Sequence, residues 1–193
     1  MLIVLTGKTA SGKDTIKQSL LLKYPNLKSV ITTTSRVPRT GEKEEADYHF
    51  LTKVQFQKKI DLRDFAEYVE YGGNLYGTQK KDLEVGLSGD LLWRIDPSRA
   101  GEVREFVRRS FPMEMAQKLI DQIIVIYITV SDDVVLQRLA KRGLSEEEIK
   151  KRMEDDKKIW EKYKNNYDFI VENIPGKLDQ CLGNIVRLID RAQ

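Results

Sequence analysis

A strand that runs straight into a glycine-rich loop and then a helix constrains this chain more than any other feature. Met1 to Thr6, MLIVLT, is an apolar run rich in β-branched residues, and Gly7-Lys8-Thr9-Ala10-Ser11-Gly12-Lys13-Asp14-Thr15 follows at once. The spacing is GxxxxGK. Glycines let successive backbone N–H groups turn inward around phosphate oxygens, and the lysine adds a point charge at the outer phosphates. The helix expected from Lys13 to Leu22, with Ile16, Leu20 and Leu21 facing inward, brings its free N–H groups and dipole to the same anion. Asp14 departs from the pattern, because such loops commonly carry a Ser or Thr magnesium ligand there, and Thr15 is the nearest substitute.

The rest of the chain alternates strands and helices, which implies a parallel sheet covered on both faces. Strands are expected at Leu27–Thr34, Asp47–Leu51, Phe65–Tyr71, Leu75–Thr78, Asp90–Asp96, Ile123–Thr129 and Tyr167–Asn173, with IIVIYIT central as the most apolar. Helices are expected at Val54–Ile60, Gln79–Leu87, Ser98–Leu119 with a break at Phe111-Pro112, Asp132–Lys141 from a Ser131 cap, and Pro175–Ala192. The length of 193 residues and 40% apolar content suit one domain with a full core. Its 33 basic and 30 acidic residues are interspersed, so the net charge of +3 gives little support to a nucleic-acid or membrane-surface partner. The single cysteine, Cys181, excludes an internal disulfide, fits a reducing compartment, and shares a helical apolar stripe with Leu178, Leu182 and Ile185. No Cys/His pairing suggests a metal centre, and the first apolar run is too short for a signal peptide or a membrane span. A soluble cytoplasmic protein is the expectation.

Three polar stretches carry chemistry. Thr32-Thr33-Thr34-Ser35-Arg36-Val37-Pro38-Arg39-Thr40-Gly41-Glu42 is dense in hydroxyls and doubly cationic, suited to clamping a second phosphate group bidentately. Asp96, at the end of an apolar strand, reads equally as a carboxylate reaching a nucleotide at the sheet edge or as the N-cap of the helix entered through Pro97. Arg138, Arg142-Gly143 and Leu144 to Met153, opened by a Ser145/Glu148 capping box, form a charged helical hairpin, which reads either as a solvated face or as a lid over phosphates. Arg99, Arg104, Arg108 and Arg109 read as a solvated or contact face, and His49, the only histidine, as structural.

In their order, these motifs resemble the guanylate kinase family over nearly the whole chain. The resemblance is carried by Gly7 to Thr15, Thr32 to Glu42 with Asp47-Tyr48-His49-Phe50, Phe65-Ala66-Glu67, and Gly73-Asn74-Leu75-Tyr76-Gly77-Thr78. Ile95-Asp96, Arg142-Gly143 with Arg152, and Tyr167-Asp168 with Asn173 complete it. It implies a P-loop three-layer α/β/α fold with a parallel central sheet, a small mixed GMP-binding region and a helical lid. The implied parts are a core of residues 1–31, 90–130 and 166–193, an acceptor-binding region of 32–89, and a lid of about 138–160.

The implied activity is ATP-dependent phosphorylation of GMP, and of dGMP, with Mg²⁺. Arg36, Arg39, Tyr48 and Tyr76 would hold the GMP phosphate, with Glu42 in the same acceptor site. Thr32, Glu67, Thr78 and Asp96 would meet guanine. Gly7 to Thr15 would hold ATP with Asn173 near adenine, and Lys13, Arg138, Arg142 and Arg152 would bracket the transferring phosphoryl group, with Arg36 counted among the catalytic residues. The partners would be these nucleotides, with no nucleic acid or membrane, in a monomer or small homo-oligomer. Arg94 stands where the family is usually acidic, and Pro97-Ser98-Arg99 replaces Gln-Gly. Two alternatives follow: a kinase for another nucleoside monophosphate or a phosphosugar, or a non-catalytic module that binds phosphopeptides.

Overall fold

The computed structural model describes residues 1–191. The chain gives β1 (Leu2–Gly7) and β2 (Lys28–Ser29) to a main sheet, then β3 (Thr33–Thr34), β4 (His49–Phe50), β5 (Phe65–Tyr71) and β6 (Asn74–Gln79) to a smaller one. It returns to the main sheet with β7 (Leu91–Arg94), β8 (Ile123–Thr129) and β9 (Phe169–Glu172). The helices are α1 (Lys13–Lys23), α2 (Lys53–Asp61), α3 (Lys80–Glu84), α4 (Pro97–Gly101), α5 (Val103–Ser110), α6 (Met113–Gln122), α7 (Asp132–Lys141), α8 (Glu146–Tyr163) and α9 (Leu178–Arg191).

The main sheet runs β2-β7-β1-β8-β9 with every pairing parallel. Alternate residues of β1 sort into two cores, as the two-residue period of a strand requires. Leu2 and Val4 join Trp93, Val125, Val103, Val107, Leu119 and Tyr163 on one face. Ile3 and Leu5 join Ile16, Leu20, Cys181, Ile185 and Ile189 beneath α1 and α9 on the other. Each such side chain contributes about 1.5–3 kcal/mol when removed from water. Ala10, Val130, Val135, Leu139 and Ile149 form a third cluster, which ties the glycine-rich loop to the α7–α8 hairpin.

The smaller sheet runs β4-β3-β6-β5 and is mixed. Its β5–β6 register slips between Phe65 and Glu67, making Ala66 the extra residue of a bulge. The bulge sets Glu67 opposite Thr78 and leaves Phe65, Ala66 and Glu67 all buried, where strict alternation would have exposed one of them.

The structure corrects several expected elements. The strand expected at Leu27–Thr34 is two strands in two sheets: Val30 N–H still bonds Leu92 O, but Thr32 O already accepts from His49 N–H. β1, rather than β8, is the middle strand, and β8 lies between β1 and β9. The long helix from Ser98 breaks a second time, at Glu102 (φ −108°, ψ 6°), and ends at Gln122. There Gly101 lies so close to Tyr163 that a Cβ would be 2.5 Å from its ring, and the Tyr163 hydroxyl donates to Glu102. Ser131 is at the N-cap position of α7, but its side chain makes no capping bond, whereas Ser145 and Glu148 form the expected box. The expected end of the last helix, Ala192, lies outside the described residues. Among the described residues no helix is long and apolar enough to cross a membrane.

Candidate active site

The loop after β1 is shaped by backbone that only small residues tolerate. Gly7 (φ 143°) has Ile128 O 2.1 Å from where a Cβ would stand, and Gly12 (φ 88°) has Asn173 Nδ2 at 2.7 Å. Ala10 takes a left-handed φ of 57° without being glycine. Side chains hold the outer carbonyls: Arg138 donates to Ala10 O at 2.7 Å and Asn173 Nδ2 to Ser11 O at 2.8 Å. The N–H groups of Ala10, Gly12, Lys13, Asp14 and Thr15 make no hydrogen bond to backbone outside their helix among the described residues. They are therefore available to an anion.

Two charged side chains already occupy this cradle. Lys13 folds back and donates to Gly7 O and Lys8 O, both at 2.7 Å. Burial lowers its pKa to about 8, helped by repulsion from Arg94 and opposed by Asp156, Asp14 and Asp96. Asp156, from α8, accepts the Thr9 N–H at 2.7 Å, and its own pKa is raised by burial. Lys8 pairs with Asp132 and donates to Val130 O.

Asp14 and Arg94 form an ion pair at 3.1 Å, so two departures from the expected pattern are one contact. A magnesium ion brought in by a nucleotide is held largely by phosphates and one or two carboxylates. Asp14 is such a hard-oxygen ligand, 76% exposed, with Thr15 also exposed beside it, and this donor set fits. Among the described residues no group of three or more His, Cys, Asp or Glu side chains makes a metal site on its own.

On the opposite side, Arg36 is locked before any ligand arrives. Its fork grips Glu42 bidentately at 2.9 and 2.8 Å, NH1 also donates to Val37 O, and the guanidinium lies 5.5 Å from the Tyr48 ring centre and 5.9 Å from that of Phe50. Glu42 is thus the counter-ion of Arg36, and it also accepts the Arg39 N–H. The Arg39 residue is exposed, and Tyr76 packs edge-on to Tyr48. Thr33 and Thr34 are consumed by the small sheet, where they bond Gln79 and Leu75 O, whereas Thr32 keeps its hydroxyl free of protein hydrogen bonds among the described residues.

Glu67 is buried at 8% exposure, and its Oε1 accepts the Thr78 hydroxyl at 2.8 Å. Trp93 Nε1 donates to the same Thr78 oxygen, so the hydroxyl hydrogen is committed to Glu67. Burial lifts the Glu67 pKa to about 7 against the pull of Thr78 and Arg99. Asp96 caps α4, accepting from Ser98 N–H and Ser98 hydroxyl, and it still acts electrostatically on both Lys13 and Glu67. The Asp96 carboxylate, just past the end of β7, therefore bears electrostatically on both the glycine-rich loop and Glu67.

Arg142 and Arg152 lie exposed on the hairpin, and among the described residues only Arg138 of the three hairpin arginines bonds to the loop. His49 lies between Glu44, 3.7 Å away, and Asp82, 3.5 Å away, and its buried Nε2 makes no hydrogen bond among the described residues. Sequence reasoning missed Asp156, Trp93 and the inward turn of Arg99. Asp156 lay within a run of charges with no local mark, and Arg99 within an apparently solvated face.

The family model described as guanylate kinase matches residues 1–88. The chain is 32% identical over 185 residues to a guanylate kinase of Desulfitobacterium hafniense (strain Y51), covering 93% of this chain and 86% of the relative. It is 33% identical over 175 residues to one of Symbiobacterium thermophilum, covering 90% and 77%. Among solved structures, the crystal structure of guanylate kinase from Anaplasma phagocytophilum superposes with a TM-score of 0.70 at 21% identity, covering 100% of this chain and 85% of the other. Shikimate kinase from Acinetobacter baumannii shares the frame more loosely, with a TM-score of 0.52 at 16% identity over 100% and 94% of the two chains.

Proposed function

Because the chain belongs to the guanylate kinase family, we propose that it transfers the terminal phosphoryl group of ATP to GMP, and to dGMP, giving ADP and the nucleoside diphosphate. The observation that supports this is a buried carboxylate, Glu67, fixed through Oε1 by Thr78 beneath Trp93, in the same domain as a glycine-rich loop whose backbone N–H groups are open to an anion. Guanine offers N1–H and N2–H₂ donors, which an ionised Glu67 accepts together. Adenine presents a lone pair at N1 and leaves Glu67 unsatisfied, a penalty of about 1–3 kcal/mol. With the Thr78 hydrogen given to Glu67, the free Thr32 hydroxyl is the donor left for O6.

The small sheet, within residues 32–89, serves as the acceptor-binding region, and the α7–α8 hairpin, about 138–160, as the lid. Arg36 exchanges part of its grip on Glu42 for the GMP phosphate, with Arg39, Tyr48 and Tyr76 around it. Lys13 leaves the carbonyls of Gly7 and Lys8 for the β- and γ-phosphates, and Arg138 is already at the loop. Arg142 and Arg152 reach the phosphates when the hairpin bends inward. Asp14, with Thr15, would hold magnesium, which when bound neutralises charge on the phosphates of ATP. Asn173 supports the loop from the side where the adenine would lie. Phosphoryl transfer needs positioning and charge compensation more than covalent help, and these groups supply both.

ADP release measured with GMP, dGMP, AMP, CMP and dTMP tests the reading. Turnover confined to the two guanine nucleotides is the expected result, and equal rates on all five would overturn it. The two sequence relatives reported above, at 32% and 33% identity, both carry the name guanylate kinase, which disfavours a phosphosugar kinase or a silent phosphopeptide module.

A further inference from the structure

Arg99 belongs to a helix face that reads as solvated, yet it turns inward toward Tyr68 and Glu67 of β5. NH2 donates to Tyr68 O at 3.0 Å, NH1 lies 3.5 Å from Glu102, and the guanidinium sits 5.3 Å from the centre of the Phe106 ring. These contacts fix the plane of the fork. Its Nε is buried, has no hydrogen-bond partner, and lies 3.8 Å from Glu67 Oε2. Glu67 Oε1 is already taken by Thr78 from β6, so the oxygen beside Arg99 is the one still to be matched. The charged groups facing Glu67 are therefore Arg99 from α4, attractive, and Asp96 at the start of α4, repulsive, with the Thr78 hydroxyl as the neutral donor.

We propose, resting on the guanylate kinase reading, that Arg99 is a positioning residue for base recognition: its guanidinium keeps Glu67 ionised and turned so that it accepts both guanine donors. A buried carboxylate that took up a proton would present a donor to N1–H and lose the base. Burial and Asp96 push Glu67 in that direction, and the Arg99 guanidinium, 3.8 Å away, opposes them. Arg99 acts through Glu67 and touches neither phosphate group.

The test uses the full chain with Arg99→Met, Arg99→Gln and Arg99→Lys. Glu67 ionisation is read directly in the ligand-free protein by ¹³C-carboxyl NMR, the signal being assigned by its loss in Glu67→Gln. In Arg99→Met and Arg99→Gln, the Glu67 titration is expected to move to higher pH, and Arg99→Lys to restore most of the shift. In steady-state kinetics KM for GMP should rise tenfold or more at pH 6.5 and much less at pH 8.5, with kcat and KM for ATP within twofold. An unmoved Glu67 titration overturns the proposal, as does a GMP defect equal at both pH values, which would mark Arg99 as packing alone. Should wild-type protein fail to phosphorylate GMP while the NMR shift appears, the substrate reading falls and the Arg99–Glu67 coupling stands. Arg99→Lys keeps the charge and the stem, so an unfolded Arg99→Met does not leave the outcome open.

Discussion

The Asp156 carboxylate accepts the backbone N–H of Thr9 at 2.7 Å, placing an acidic group of α8 at the mouth of the glycine-rich loop. The hairpin thereby holds the loop with the same kind of contact a phosphate oxygen would make, and an incoming nucleotide has to displace it.

Removing that carboxylate should tighten nucleotide binding. A hydrogen bond to a charged group is worth about 1.5–3 kcal/mol, so Asp156→Ala is expected to bind ATP about tenfold or more tightly. Isothermal titration calorimetry checks this. Equal or weaker affinity would show that Asp156 moves aside at no cost.

Arg36 is expected to act on one substrate only. Its fork is held by Glu42 and two aromatic rings on the acceptor side. Arg36→Met should raise KM for GMP by about tenfold to a hundredfold, as loss of a charge-assisted contact implies, with the Kd for ATP unchanged. A matching loss of ATP affinity would place Arg36 elsewhere in the reaction.

Glu67 should make stability depend on pH in a defined window. Its folded pKa, about 7, stands above the ordinary 4.5, chiefly because burial penalises the charge. The folded state therefore binds the proton more tightly, and the stability this gives is full at low pH and is lost as pH rises through about 7. Relative to the parent, Glu67→Gln should gain up to about 3 kcal/mol between pH 4 and pH 8. Urea midpoints at pH 4, 6 and 8 test the sign, and parallel curves for the two proteins would contradict it.

Two glycines should respond in opposite directions. A Cβ at Gly101 meets the Tyr163 ring at 2.5 Å, so Gly101→Ala should cost about 1–3 kcal/mol. Gly183, inside α9 with nothing within 4 Å, should gain roughly 0.5–1 kcal/mol on substitution by Ala. Thermal melts of both variants decide it, and equal shifts would show that contact at Gly101 is not limiting.

The loop from Gly7 to Thr15 was readable because its demand for glycine is local, set by φ at Gly7 and Gly12. The order of the main strands was not, since the most apolar strand, β8, is flanked on both sides just as β1 is, and only the crossovers decide which is in the middle. Leu27 to Thr34 read as one strand because an extended pattern looks the same on either side of a change of sheet. On the acceptor side, the Arg36 and Glu42 side chains are close in sequence and were placed together. Asp156 and Arg99 meet partners 147 and 32 positions away, Thr9 and Glu67, and neither bears a local mark of that contact. The pairing of Asp14 with Arg94 has the same origin: two residues that each look anomalous alone account for one another between the first turn of α1 and the end of β7.

The polypeptide departs from the main sheet after β2 and rejoins it at β7, and those strands lie side by side, with Lys28 opposite Leu91. The stretch between β2 and β7 is thus a detour that leaves from and returns to neighbouring strands, whose paired residues lie about 5 Å apart. The excursion stays tied to the main sheet, because its Val30, Ala66 and Leu83 pack in one core with Leu2, Val4 and Trp93. A replacement segment grafted between Ser29 and Leu91 has to reproduce those three apolar contacts if the sheet is to keep its core closed.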